Sequence, residues 1–150
     1  MPSDRLRKTV LLDAEAVSAL SDSRNRKHRT VLAWAELGAR RNRRQPGMIT
    51  VVVPTSVRVE SGWNRQDARA SLINRLPIRD DALDPSGADR AAHINAALYV
   101  GVADAHIGVI IEKQPALTVL TSDIDDIGRI SSHLEAETNI VRIRPQPPRY

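Results

Sequence analysis

Four carboxylates stand where chemistry could be done: Asp13, Glu60, Asp104 and Asp123. Asp13 ends the apolar run "TVLLD", and Asp123 ends "ALTVLTSD". Glu60 lies in "TSVRVESGW", just past the apolar run "MITVVVP". Asp104 is flanked by Val102, Ala103 and Ala105, so its surroundings are apolar and its side chain is expected to point inward. Brought to one place, these acids repel and raise one another's pKa. Such a cluster needs a positive occupant. The chain has no cysteine, so a metal must be held by oxygen or imidazole. An oxygen-dominated set suits Mg²⁺ or Mn²⁺. These ions position water and neutralise developing charge in phosphodiester hydrolysis.

Each acid also has a plainer reading. Asp123 can cap a helix starting near Ile124, with Asp125 and Asp126 in a dipole-favoured first turn. Asp13 runs straight into a helical segment and can cap it while serving a site. Asp104 is the hardest to explain this way, because an inward carboxylate needs a partner.

The elements that must position these acids alternate along the chain. Short apolar runs at 9–13, 48–54, 77–84, 116–123 and 139–144 read as strands. Helical spacing covers 14–22, 26–44, 55–63, 65–76, 85–101, 102–114 and 124–137. Continuous apolar strands alternating with helices predict an α/β fold: a central parallel sheet covered on both faces. In such sheets, sites form at the carboxyl ends of the strands, near the point where strand order switches. Asp13 and Asp123 both end strands, and become neighbours if those strands pair.

At 150 residues the chain suits one domain, with a loose polar segment at 1–8, the folded unit at 9–144 and a proline-rich tail at 145–150. Phenylalanine is absent, so the core must be aliphatic. The N-terminus lacks the apolar run of a signal peptide. The apolar stretch from Ala96 to Ile111 is interrupted by Asp104 and His106 and is too short to span a membrane. A cytoplasmic location is expected. The formal net charge is +4, carried mostly by arginine, whose fork matches phosphate.

The stretches "VLLDAEAVSAL", "VVVPTSVRVESGW", "VADAHIGVI" and "TVLTSDIDDIGRI" together resemble the PIN-domain ribonucleases, in particular the VapC-like toxins of toxin–antitoxin pairs. The resemblance runs from Thr9 to Ile143. It implies a three-layer α/β/α sandwich with a parallel sheet. It implies that Asp13, Glu60, Asp104 and Asp123, joined by Asp126, bind Mg²⁺ or Mn²⁺ and promote RNA hydrolysis. It further implies a homodimer and a small cognate antitoxin. One departure stands out: many members carry a hydroxyl residue after the first acid, where this chain has Ala14 followed by Glu15. Around Glu60 the match is least constrained.

Other features carry two readings each. The run "SRNRKHR", with Arg24, Arg26, Lys27 and Arg29, and the run "RRNRR", with Arg40, Arg41, Arg43 and Arg44, can grip RNA phosphates or form a solvated helix surface. Thr121 and Ser122 can hydrogen-bond a ligand carboxylate or cap the backbone. Trp34 and Trp63 read as core or interface residues, with Trp63 also a candidate for lining a substrate groove. His28, His93, His106 and His133 show no metal-binding spacing. A phospho-accepting receiver module also places acids at strand ends, as does a PIN fold that binds nucleic acid or a partner without cleaving it.

Overall fold

The computed structural model describes residues 8–44 and 48–145. The expected loose ends fall largely outside those residues. The strands are β1 (Lys8–Leu12), β2 (Ile49–Pro54), β3 (Ile78–Asp81), β4 (Thr118–Thr121) and β5 (Asn139–Arg142). The helices are α1 (Ala14–Ser21), α2 (His28–Arg44), α3 (Thr55–Ser61), α4 (Ser71–Asn74), α5 (Pro85–Leu98), α6 (Val102–Lys113) and α7 (Ile124–His133).

All strand pairings are parallel, in the order β3-β2-β1-β4-β5. Chain connections move one way from β1 to β3 and the other way from β4 to β5. Right-handed crossovers therefore put α1 to α4 on one face and α5 to α7 on the other. The result is the α/β/α sandwich. The switch in strand order falls at β1 and β4, which pair directly with Leu12 opposite Leu120. This order differs from the 2-1-3-4-5 order of receiver-type sheets.

The sheet centre explains the continuous apolar runs. Val10, Leu11 and Leu12 of β1 are all buried, as is every residue of β4. Both faces are covered, so alternation disappears. β3 and β5 are the edges, and only Ile78 of their residues is fully buried. The aliphatic core runs from the sheet into α1, α6 and α7 through Leu20, Ile107, Ile111, Ile127 and Ile130. Among the described residues, no single helix is long and apolar enough to cross a membrane.

Several boundaries differ from expectation. The helix expected over 65–76 is a short 3-10 turn, Ala68–Ala70, followed by the single turn α4. Polar side chains divert its backbone. Asp67 accepts from the Arg69 N–H, Asn64 from the Gln66 N–H, and Asn74 donates to the Arg65 carbonyl. These local bonds compete with helix formation. α5 ends at Leu98 rather than 101, because Tyr99 turns left-handed at φ 54°. α3 stops at Ser61, where Gly62 takes φ 72°. The third strand shrinks to Ile78–Asp81, and α7 ends at His133.

Candidate metal centre

The carboxyl edge of β1 and β4 supplies two acids at once. Asp13 follows β1 directly and caps α1, its Oδ1 accepting the Ala16 N–H at 2.8 Å. Asp123 follows β4 after Ser122 and caps α7, its Oδ1 accepting the Asp126 N–H at 3.1 Å. Capping and site placement are thus compatible for both. Asp126 lies in the first turn of α7, where its charge suits the helix dipole. Asp104 enters from the other direction, in the first turn of α6. That helix starts after Gly101 at φ 93°, which reverses the chain behind Tyr99. Glu60 stands in the last turn of α3, exposed.

A cleft of ≈ 340 Å³ is lined by Asp13, Ala14, Glu15, Glu60, Ala103, Asp104, Ser122 and Asp123. The tightest group is Asp104, Asp123 and Asp126, whose carboxylate oxygens all lie within 4.8 Å of one another. Asp13 and Glu60 flank this trio. Their influence is electrostatic: the Asp104 carboxyl is pushed up to about 7, first by burial, then by Asp123, Asp126, Asp13 and Glu60. The other four expected ligands therefore all bear electrostatically on Asp104, while only Asp123 and Asp126 join it in the close trio.

Asp13 is itself raised, mainly by burial, with 7% of its surface exposed. The Thr121 hydroxyl and the N–H groups of Ala16 and Ser122 pull it back down. Thr121 is fully buried, and its Oγ1 accepts the Asp123 N–H at 2.9 Å. It thus ties the two strand-end acids together. Compensating cations are few. Arg129 meets Asp126 at 3.3 Å while its other nitrogen bonds the Leu98 carbonyl. Asp13, Glu60, Asp104 and Asp123 form no salt bridge among the described residues.

Two residues gain meaning only in three dimensions. Lys27 reaches the cleft rim, its Nζ 2.9 Å from both Ser122 Oγ and Glu15 Oε1. It neutralises Glu15, an acid that takes no part in the trio. Ala14, where the resemblance suggests a hydroxyl, lines the cleft.

The remaining candidates lie elsewhere. Trp63 is buried between the guanidinium groups of Arg58 and Arg65, 5.4 and 4.2 Å from its ring centroid, and its N–H bonds Asn74. It does not line the acidic cleft. His106 is buried, with Nδ1 2.7 Å from Ser56 Oγ, and burial lowers its pKa. His28 Nδ1 sits 2.7 Å from the Ala19 carbonyl. Trp34 is half-buried, beside Leu37. The two basic runs separate: Lys27 lies by the acidic cleft, Arg24 pairs with Asp22 and Arg29 stands beside Trp34, whereas Arg40, Arg41, Arg43 and Arg44 cluster at the far end of α2.

No known protein family, curated protein or solved structure matches this chain.

Proposed function

We propose that this chain is a divalent-metal-dependent endoribonuclease, cytoplasmic, acting as the toxin of a toxin–antitoxin pair. The observation that carries the hydrolytic reading is the packing of Asp104, Asp123 and Asp126 within 4.8 Å at the switch point of a parallel sheet, with Asp13 and Glu60 beside them. These residues fit a hard cation. All the donors are carboxylate oxygens, and burial followed by the neighbouring acids pushes the Asp104 carboxyl up to about 7, a strain that a bound cation would relieve.

Asp104, Asp123 and Asp126 would hold Mg²⁺ or Mn²⁺, with Asp13 completing the set. The ion supplies, when bound, the positive charge that neutralises a scissile phosphate and acidifies nearby water. The protein's own groups do the rest. Thr121 and the α1 N-terminus orient Asp13, and the α7 N-terminus orients Asp123. Glu60, exposed on the cleft wall, would stand beside an attacking water as its general base. Lys27 on the rim offers an ammonium to a phosphate oxygen.

The toxin role, the antitoxin and the homodimer rest on the resemblance carried by "VADAHIGVI" and "TVLTSDIDDIGRI". The nuclease reading is tested by incubating single-stranded RNA with the protein in Mg²⁺, in Mn²⁺ and in chelator. Cleavage only with a divalent ion, lost in Asp104→Asn, supports it. Cleavage that survives both chelation and Asp104→Asn would overturn it.

A further inference from the structure

The basic residues of α2 and of the segment leading into it divide into two groups that cannot share one pocket. Just before the helix, Lys27 touches Ser122 beside the acidic cleft. At the C-terminal end, Gly38 packs close to Ile49 and Val51, at the start of β2. Ile49 pairs with Lys8 at the amino edge of the sheet. The 17 residues of α2 therefore run from the carboxyl end of the sheet to its amino end, a span of about 25 Å.

Beyond Ile49 the helix ends in Arg40, Arg41, Arg43 and Arg44, which with Leu37 line a cavity of ≈ 400 Å³. All four arginines are exposed, and none has a carboxylate partner among the described residues. At ~100° per residue they fan over about 160° of the helix surface. The C-terminal dipole stabilises a nearby cation, but like charges at these spacings repel one another. One arginine would satisfy the dipole. Four around a shared cavity make a receptor for several oxyanions, and guanidinium forks fit phosphate.

We propose that this arginine end is a second, remote contact for the phosphodiester backbone of RNA. The identity of the ligand rests on the ribonuclease reading. RNA that touches both ends of α2 must cover ~25 Å, about seven phosphates of a stacked strand. Long substrates gain affinity there, and very short ones cannot.

The test compares the full-length protein with two quadruple variants, R40Q/R41Q/R43Q/R44Q and R40K/R41K/R43K/R44K. Fluorescence anisotropy in chelator, across a salt series, measures binding of a labelled single-stranded RNA of about thirty nucleotides. The glutamine variant should bind at least about tenfold more weakly near 0.1 M salt, and its log–log salt slope should fall by about 3. The lysine variant should keep most of the slope. Cleavage of a tetranucleotide in Mg²⁺ should be the same in all three proteins. Unchanged affinity and slope in the glutamine variant would overturn the proposal and leave the arginines to an acidic protein partner. Selective loss of tetranucleotide cleavage in that variant would also overturn it, because the contact would not be remote. If no protein cleaves either RNA but the slope difference stands, the ribonuclease reading fails and the arginine contact is supported.

Discussion

Thr121 Oγ1 accepts the backbone N–H of Asp123 at 2.9 Å, while the same hydroxyl stabilises the carboxylate of Asp13. One buried side chain thereby sets the position of the acids at the ends of β1 and β4. Thr121→Val keeps the shape but removes both bonds. The partly buried Asp123 N–H then loses its acceptor, at a cost of about 1 kcal/mol. Denaturant melts should show that loss, and RNA cleavage should fall with it. A variant as stable and as active as wild type would show that the hydroxyl orients neither acid.

Asp104→Asn removes the charge at the centre of the cluster. Its four neighbours all raise the Asp104 pKa, so their mutual repulsion falls when it is neutral. The metal-free variant should be at least as stable as wild type near pH 8 by thermal melting, yet inactive on RNA. A large drop in melting temperature would mean that Asp104 is a structural group.

The same cluster sets a pH dependence. In the folded protein Asp104 holds its proton up to about 7, far above its ordinary value. Asp13 shifts in the same sense. The folded state therefore binds more protons than the unfolded chain across that window. Its stability from these groups is full in acid and is lost as pH rises through about 7. Melting temperature in chelator should decline from about pH 5 to pH 8, and Mg²⁺ should restore it at the upper end. Calorimetry of Mg²⁺ binding near neutrality should detect proton release. Flat melting curves and proton-neutral binding would contradict this.

Gly108 lets α6 approach α5 and α7. A Cβ there would sit 3.0 Å from Ile94 Cδ1 and 3.1 Å from Ile130 Cγ2. Both isoleucines are fully buried, and each would have to give way by a few tenths of an ångström. Gly108→Ala should cost about 1–3 kcal/mol by overpacking, exceeding the helix-propensity gain of about 1. Urea unfolding measures it. Because α6 carries Asp104, Mg²⁺ affinity should weaken as well.

The strands at the sheet centre were legible because burial on both faces leaves unbroken apolar runs, Val10 to Leu12 in β1 and Val119 and Leu120 in β4. Their adjacency was not, since nothing local in "TVLLD" or "ALTVLTSD" specifies a partner more than a hundred positions away. Asp104 stood out as an acid in an apolar setting, and the structure centres the cluster on it. Lys27 could be read only as one of a basic run. Its bond to Ser122, 95 residues distant, exists because β4 lies beside β1. The helix expected at 65–76 was misjudged because Asn64, Asp67 and Asn74 form side-chain bonds that helical periodicity does not register.

The double duty of Asp13 and Asp123 has one more implication. Each spends an oxygen on the N–H of its own helix, so its rotamer is settled by folding itself. At the proposed metal site an incoming ion would meet two side chains already held by their helices and would forfeit little entropy on capture. The apoprotein should consequently keep its architecture after dialysis, and reloading should be fast and free of a slow conformational phase.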